Sequence, residues 1–133
     1  MCEADIKSIL EESKTVAVVG LSPGEERDSH RVAKYLQSQG YRIIPVNPKA
    51  DEILGERSYP DLASIPEPID VVDVFRRSEA VPEIVEEAIK VGAKTVWMQQ
   101  GVIHEEAAAR AREAGLQVVM DCCMMIEHRR YFG

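Results

Sequence analysis

Three times in this chain a glycine stands between a stretch that reads as helix and a stretch that reads as strand. Gln39-Gly40, Val91-Gly92 and Ala114-Gly115 close the first kind, and Tyr41–Val46, Lys94–Met98 and Leu116–Met120 follow at once. Glycine reaches the left-handed backbone conformation that ends a helix at little steric cost, so each junction reads as a helix-to-strand turn. The preceding stretches are amphipathic. Val32, Ala33 and Leu36 share a face, as do Ile84, Val85, Ala88 and Ile89, and Ala107, Ala108 and Ala111. Strands are expected at Thr15–Val19, Ile43–Val46, Val71–Phe75, Thr95–Met98 and Gln117–Met120. Most are continuous apolar runs, the pattern of strands covered by helices on both faces. The alternation predicts an α/β fold with a doubly wound, mainly parallel sheet flanked by helices. Ser29 is expected to N-cap the second helix. A first helix over Asp5–Glu12 should pack Ile6, Ile9 and Leu10 on the sheet, and a short extra strand is expected near Arg57–Tyr59.

At 133 residues the chain is expected to form one domain, residues 1–133. Pro60–Pro68, with its three prolines, reads as a surface loop. A formal charge of −7 argues against binding nucleic acid or an anionic membrane. Yet Arg27, His30, Arg31, Lys49, Arg76 and Arg77 recur near the loops of interest, which suits a small anionic ligand. There is no apolar run of transmembrane length, and the acidic opening Met1–Asp5 does not read as a signal peptide. Cys2, Cys122 and Cys123 make an odd count without a disulfide framework, so a cytoplasmic protein with reduced thiols is expected.

In a sheet of this kind a ligand lies beyond the carboxyl ends of the strands. Those ends carry Gly20-Leu21-Ser22-Pro23, Asn47-Pro48-Lys49, Phe75-Arg76-Arg77, Gln99-Gln100-Gly101 and Asp121-Cys122-Cys123. The first loop is not a dinucleotide fingerprint, because Ser22 and Glu25 stand where its second and third glycines belong. Nor is it a P-loop, since no Gly-Lys-Ser/Thr follows. It reads as a generic anion site made by backbone N–H groups at a helix start, the Ser22 and Ser29 hydroxyls, and Arg27 or His30. At the second strand end an NAD-binding chain would place an acid for the ribose hydroxyls. Lys49 favours a ribose phosphate there instead, either the 2′-phosphate of NADP or the 3′-phosphate of coenzyme A.

With these loops and the tail considered together, the chain resembles the stand-alone CoA-binding proteins, single Rossmann-like domains similar to the N-terminal domain of the succinyl-CoA synthetase α subunit. The segments "VVGLSPGEERDSHRVA", "VNPKADEILGERSYPDL", "DVVDVFRRSEAVPEIVEEAI", "VWMQQGV" and "DCCMMIEHR" carry the resemblance in order, from about Ile6 to Arg130. It implies that Gly20, Leu21, Ser22, Pro23, Gly24 and Glu25 approach the CoA phosphates, next to the Ser29 and His30 of the anion site read above. It further implies that Lys49, beside Asn47 and Pro48 at the second strand end, contacts a CoA ribose or phosphate. Val74, Phe75, Arg76, Val81 and Pro82 would flank the adenine, and Gln99 and Gly101 would complete the edge. Glu25 stands where the synthetase has a glutamine, and a carboxylate near phosphates is unfavourable.

The synthetase's phosphorylated histidine belongs to a second domain with no counterpart in these residues. His30, His104 and His128 are not paired with any obvious base or nucleophile. The expectation is a non-catalytic protein that binds coenzyme A or acyl-CoA as a carrier or sensor, with no nucleic-acid or membrane partner and no metal. The synthetase also places a cysteine near the CoA thiol, which makes Cys122 a candidate for thiol–disulfide exchange; a buried core cysteine is the plainer alternative. The rival reading is a small NADP-dependent oxidoreductase, against which the missing glycines count.

Overall fold

The computed structural model describes residues 5–133. Cys2 and the acidic opening at positions 1–4 lie outside the described residues. In chain order the elements are α1 (Ile6–Glu12), β1 (Thr15–Val19), α2 (Asp28–Ser38), β2 (Arg42–Val46), β3 (Glu52–Ile53) and β4 (Glu56–Arg57). Then come β5 (Val71–Val74), α3 (Val81–Val91), β6 (Thr95–Met98), α4 (Glu105–Glu113), β7 (Gln117–Val119) and α5 (Met124–Phe132). The five long strands make one parallel sheet in the order β2-β1-β5-β6-β7. The architecture is therefore the expected doubly wound, Rossmann-like sheet with helices on both faces.

Strand periodicity divides the core in two. Ala17, Val19, Val72, Val74, Val96 and Met98 face α3 and α4, where Val81, Val85, Ala88, Ala108 and Ala111 are fully buried. Val16, Val18, Ile43, Val71, Trp97 and Val119 belong to the other layer, with Ile6, Ile9 and Leu10 of α1, Val32, Ala33 and Leu36 of α2, and Met124 of α5. Pro45 is tolerated within β2 because that strand forms an edge of the five-stranded sheet, where a missing ladder donor costs least. Beyond it, Tyr59 donates its N–H to the Pro45 carbonyl at 3.0 Å and bridges to Val46.

Two local expectations change. The extra strand expected near Arg57–Tyr59 is the second arm of an antiparallel hairpin, Glu52–Ile53 with Glu56–Arg57, and only Tyr59 reaches the main sheet. The N-cap of α2 is Arg27, whose backbone is extended at φ −80° and ψ 146°, so Ser29 lies inside the first turn. No helix among the described residues is long and apolar enough to cross a membrane.

Candidate functional site

The strand order reverses at β1. The connection through α2 carries the chain outward to β2, and the next one returns it to β5 on the other side of β1. The loops leaving β1 and β5 thus diverge and open a crevice at the carboxyl edge. Gly20 makes this crevice possible. Its φ is +90°, its N–H donates to the Val46 carbonyl at 3.0 Å, and a side chain there would collide with the backbone of Phe75.

The loop that follows is held from several sides. The Ser22 N–H donates to Ser29 Oγ at 3.0 Å, and Ser22 Oγ accepts from the Gly24 N–H at 3.1 Å. Asn47 Nδ2 donates to the Leu21 carbonyl, and Asn47 Oδ1 accepts from the Lys49 N–H. Asn47 thereby ties the loop after β2 to the loop after β1. No side chain caps α2, so its first turn opens onto the loop uncapped.

Three adjoining depressions follow this edge. A hollow of about 360 Å³ over the start of α2 is lined by Gly20, Ser22, Glu26, Arg27, Asp28, Ser29 and Phe75. It shares Asp28 and Phe75 with a cleft of about 660 Å³ that runs between α2 and α5. On the β2 side, a narrower hollow of about 120 Å³ reaches Pro48, Arg76, Ala80, Glu83 and Ile84. Arg76 joins it to the wide cleft. Among the described residues neither Arg76 nor Arg77 forms an ion pair, whereas Arg31 is paired with Asp28.

The structure sorts the residues expected from sequence. Gly20, Ser22, Ser29, Pro48, Phe75, Arg76 and Gln99 line the depressions. Asn47 shapes the edge from behind, and Lys49 is exposed just beyond it. Leu21 and Val74 are fully buried and turn their side chains into the core. Pro23 is exposed but lines none of these depressions, and His30 is buried in the first turn of α2. Val81 packs into the α3–α4 core, and Pro82 faces a groove beside His104 and Arg110, so Ala80, Glu83 and Ile84 form the wall instead. Gly101 donates its N–H to Asp121 Oδ1 at 2.7 Å, a turn contact next to the site. Cys122, expected as a reduced thiol open to exchange, is instead disulfide-bonded and buried behind the edge, its carbonyl accepting from the Trp97 indole N–H at 2.9 Å. Cys123, the free thiol, is the cysteine that lines the cleft.

Met125 and Ile126 of α5 were not among the residues expected to meet a ligand, although the apolar run after the cysteine pair is the signal for them. α5 is fastened to α2 by His128, whose Nδ1 is 2.8 Å from the Tyr35 hydroxyl, and by Arg129 stacked over the Tyr35 ring. Burial lowers the pKa of His128 below its ordinary value. Deeper in the same layer Asp73 is fully enclosed, aligned between Val18 and Trp97, with neither carboxyl oxygen hydrogen-bonded. Burial pushes its carboxyl well above the usual carboxylate range. No group of three or more His, Cys, Asp or Glu among the described residues is placed to hold a metal ion.

Comparison with known proteins places this geometry. A family model described as a CoA binding domain matches residues 14–129. The chain is 48% identical over 126 residues to YneT, an uncharacterized protein of Bacillus subtilis, covering 95% of this chain and 93% of that one. It is 31% identical over 121 residues to an ADP-forming acetate–CoA ligase of Archaeoglobus fulgidus; the match takes in 84% of this chain and 18% of the ligase. A solved structure of a hypothetical protein from Pyrococcus horikoshii OT3 superposes with a TM-score of 0.94 at 49% identity, covering 97% of this chain and 91% of that one. The family match begins just before β1 and ends within α5, so it takes in every element that shapes the carboxyl edge: the chain belongs to the CoA-binding domain family.

Proposed function

We propose that this chain binds coenzyme A or an acyl-CoA along the carboxyl edge of its sheet, as a non-catalytic carrier or sensor. The observation that carries the reading is the hollow over the uncapped start of α2, with Ser22, Arg27 and Ser29 in its lining. A helix start gathers unpaired N–H groups and partial positive charge, which suits a diphosphate. The narrow hollow beside Pro48 and Arg76 would take the adenine, and Lys49 next to it would take the 3′-phosphate. The wide cleft would then receive the pantetheine arm.

Three positions favour binding over catalysis. His104 Nδ1 accepts from the Ala107 N–H and caps α4, His128 is engaged with Tyr35, and His30 is buried. None of the three lines the wide cleft. Cys123 is the thiol placed for exchange: its thiolate would attack CoA disulfide, form a mixed disulfide and release one CoA thiolate.

Calorimetric titration of the full chain with CoA and dephospho-CoA tests the reading. CoA should bind at one site per chain, and removal of the 3′-phosphate should weaken it about tenfold, in keeping with a charge-assisted contact. Binding of neither compound would overturn the proposal.

A further inference from the structure

The wide cleft carries more than room for a pantetheine arm. Gln99 lines it and is 4% exposed, so it belongs to the floor of the cleft rather than its rim. One end of its amide is fixed by chemistry. The Met124 N–H donates to it at 3.0 Å, so the atom there must be the oxygen, Oε1. The other end is therefore Nε2, with two N–H donors. Val102, Cys123, Met125 and Ile126, the last 46% exposed, make an apolar part of the same lining, and Asp28, Arg31, Arg76 and Arg77 a charged part.

That donor forms no hydrogen bond among the described residues and loses its water when a ligand fills the cleft, so it favours a ligand that brings an acceptor to it. The end of an acyl-CoA brings one: a thioester carbonyl followed by an alkyl chain. The free thiol of CoA offers only a weak acceptor.

We infer that this cleft reads the thioester end of a short-chain acyl-CoA, with Gln99 Nε2 donating to the thioester carbonyl and Val102, Met125 and Ile126 receiving the acyl group. The inference rests on the CoA-binding reading and names the form of the ligand that the site prefers. Gln99 is then a specificity residue. Its oxygen orders the start of α5 while its nitrogen discriminates the ligand.

The test compares acetyl-CoA with S-ethyl-CoA, which has the same length and both pantetheine amides but no thioester carbonyl. Wild-type chain should bind acetyl-CoA about fivefold more tightly, the worth of one net hydrogen bond. Gln99→Glu keeps an oxygen for the Met124 N–H and removes the donors, so it should bring the two affinities within about twofold of each other. Equal affinities in the wild-type chain would overturn the inference and leave CoA binding intact. Persistence of the fivefold preference in Gln99→Glu would overturn the role of Gln99. No binding of either compound, or of CoA, would overturn the CoA reading itself. The wild-type comparison needs no variant to fold.

Discussion

A Cβ built on Gly20 lies 2.4 Å from the carbonyl oxygen of Phe75 and 3.0 Å from Arg76 Cδ. The loops leaving β1 and β5 can approach this closely only while the first carries no side chain there. That approach forms the floor of the hollow over α2, and the φ of +90° is itself unfavourable for any other residue.

Gly20→Ala should therefore lower stability by about 2–3 kcal/mol and weaken CoA binding more than tenfold, since strain at a left-handed position and a clash with backbone act together. Urea denaturation and ligand titration of the same preparation check both. Wild-type stability in this variant would mean that the two loops are free to part.

Asp73 should make the protein less stable as pH rises. Its folded pKa lies well above the unfolded value of 3.8 because burial penalises the charge. Above pH 4 the unfolded chain releases this proton while the folded chain keeps it, and the difference grows until the folded pKa is reached. The contribution is at most about 1.4 kcal/mol per pH unit. Asp73→Asn should flatten the fall in urea midpoint as pH is raised from 4 through neutrality. An unchanged slope would mean that the carboxyl is already ionised in the fold.

His128 acts in the opposite sense. Its folded pKa is below the ordinary 6.5, so protons bind the unfolded chain preferentially as pH drops. Its contribution to stability is present above pH 6.5 and is lost as pH falls from there through the folded pKa. The residue joins α5 to Tyr35 of α2, the two walls of the wide cleft, so acyl-CoA affinity should fall over the same range. Titrations at pH 7.5 and 5.5, with His128→Phe as the comparison, check this. The variant should lose most of the pH dependence.

Cys123 should be the site of exchange with CoA disulfide. Incubation should add the mass of one CoA that reductant removes, and Cys123→Ser should abolish the adduct. An adduct that survives the substitution would place the exchange at another thiol.

The five strands of the main sheet were legible because most are apolar runs closed by polar residues, the pattern that burial on both faces produces. The β3–β4 hairpin was not, because of its residues only Ile53 is deeply buried. Its turn uses Leu54 at φ 56° and Gly55 at φ 76°, and a leucine at such a position gives no hairpin signal. Ser29 has the chemistry of an N-cap, but its hydroxyl accepts from Ser22 across the loop while the helix starts at Asp28.

The site divides along the same line. Gly20, Ser22, Phe75 and Arg76 follow from their places after strands, a local property of the sequence. The far wall, Cys123, Met125 and Ile126, depends on how α5 lies against α2. That placement is set by contacts between Tyr35, His128 and Arg129, some 93 residues apart in the case of Tyr35 and His128. No local pattern encodes a pairing of that span. Cys122 and Cys123 differ by one step along the chain, yet only Cys123 lines the cleft.

Every prediction about binding depends on coenzyme A entering the carboxyl edge of the sheet. Native mass spectrometry of the full chain with equimolar CoA and NADP tests this most directly. The spectrum should show a complex of one chain with one CoA and no NADP complex. An NADP complex, or only the bare chain at ligand concentrations where CoA-binding proteins are saturated, would contradict it.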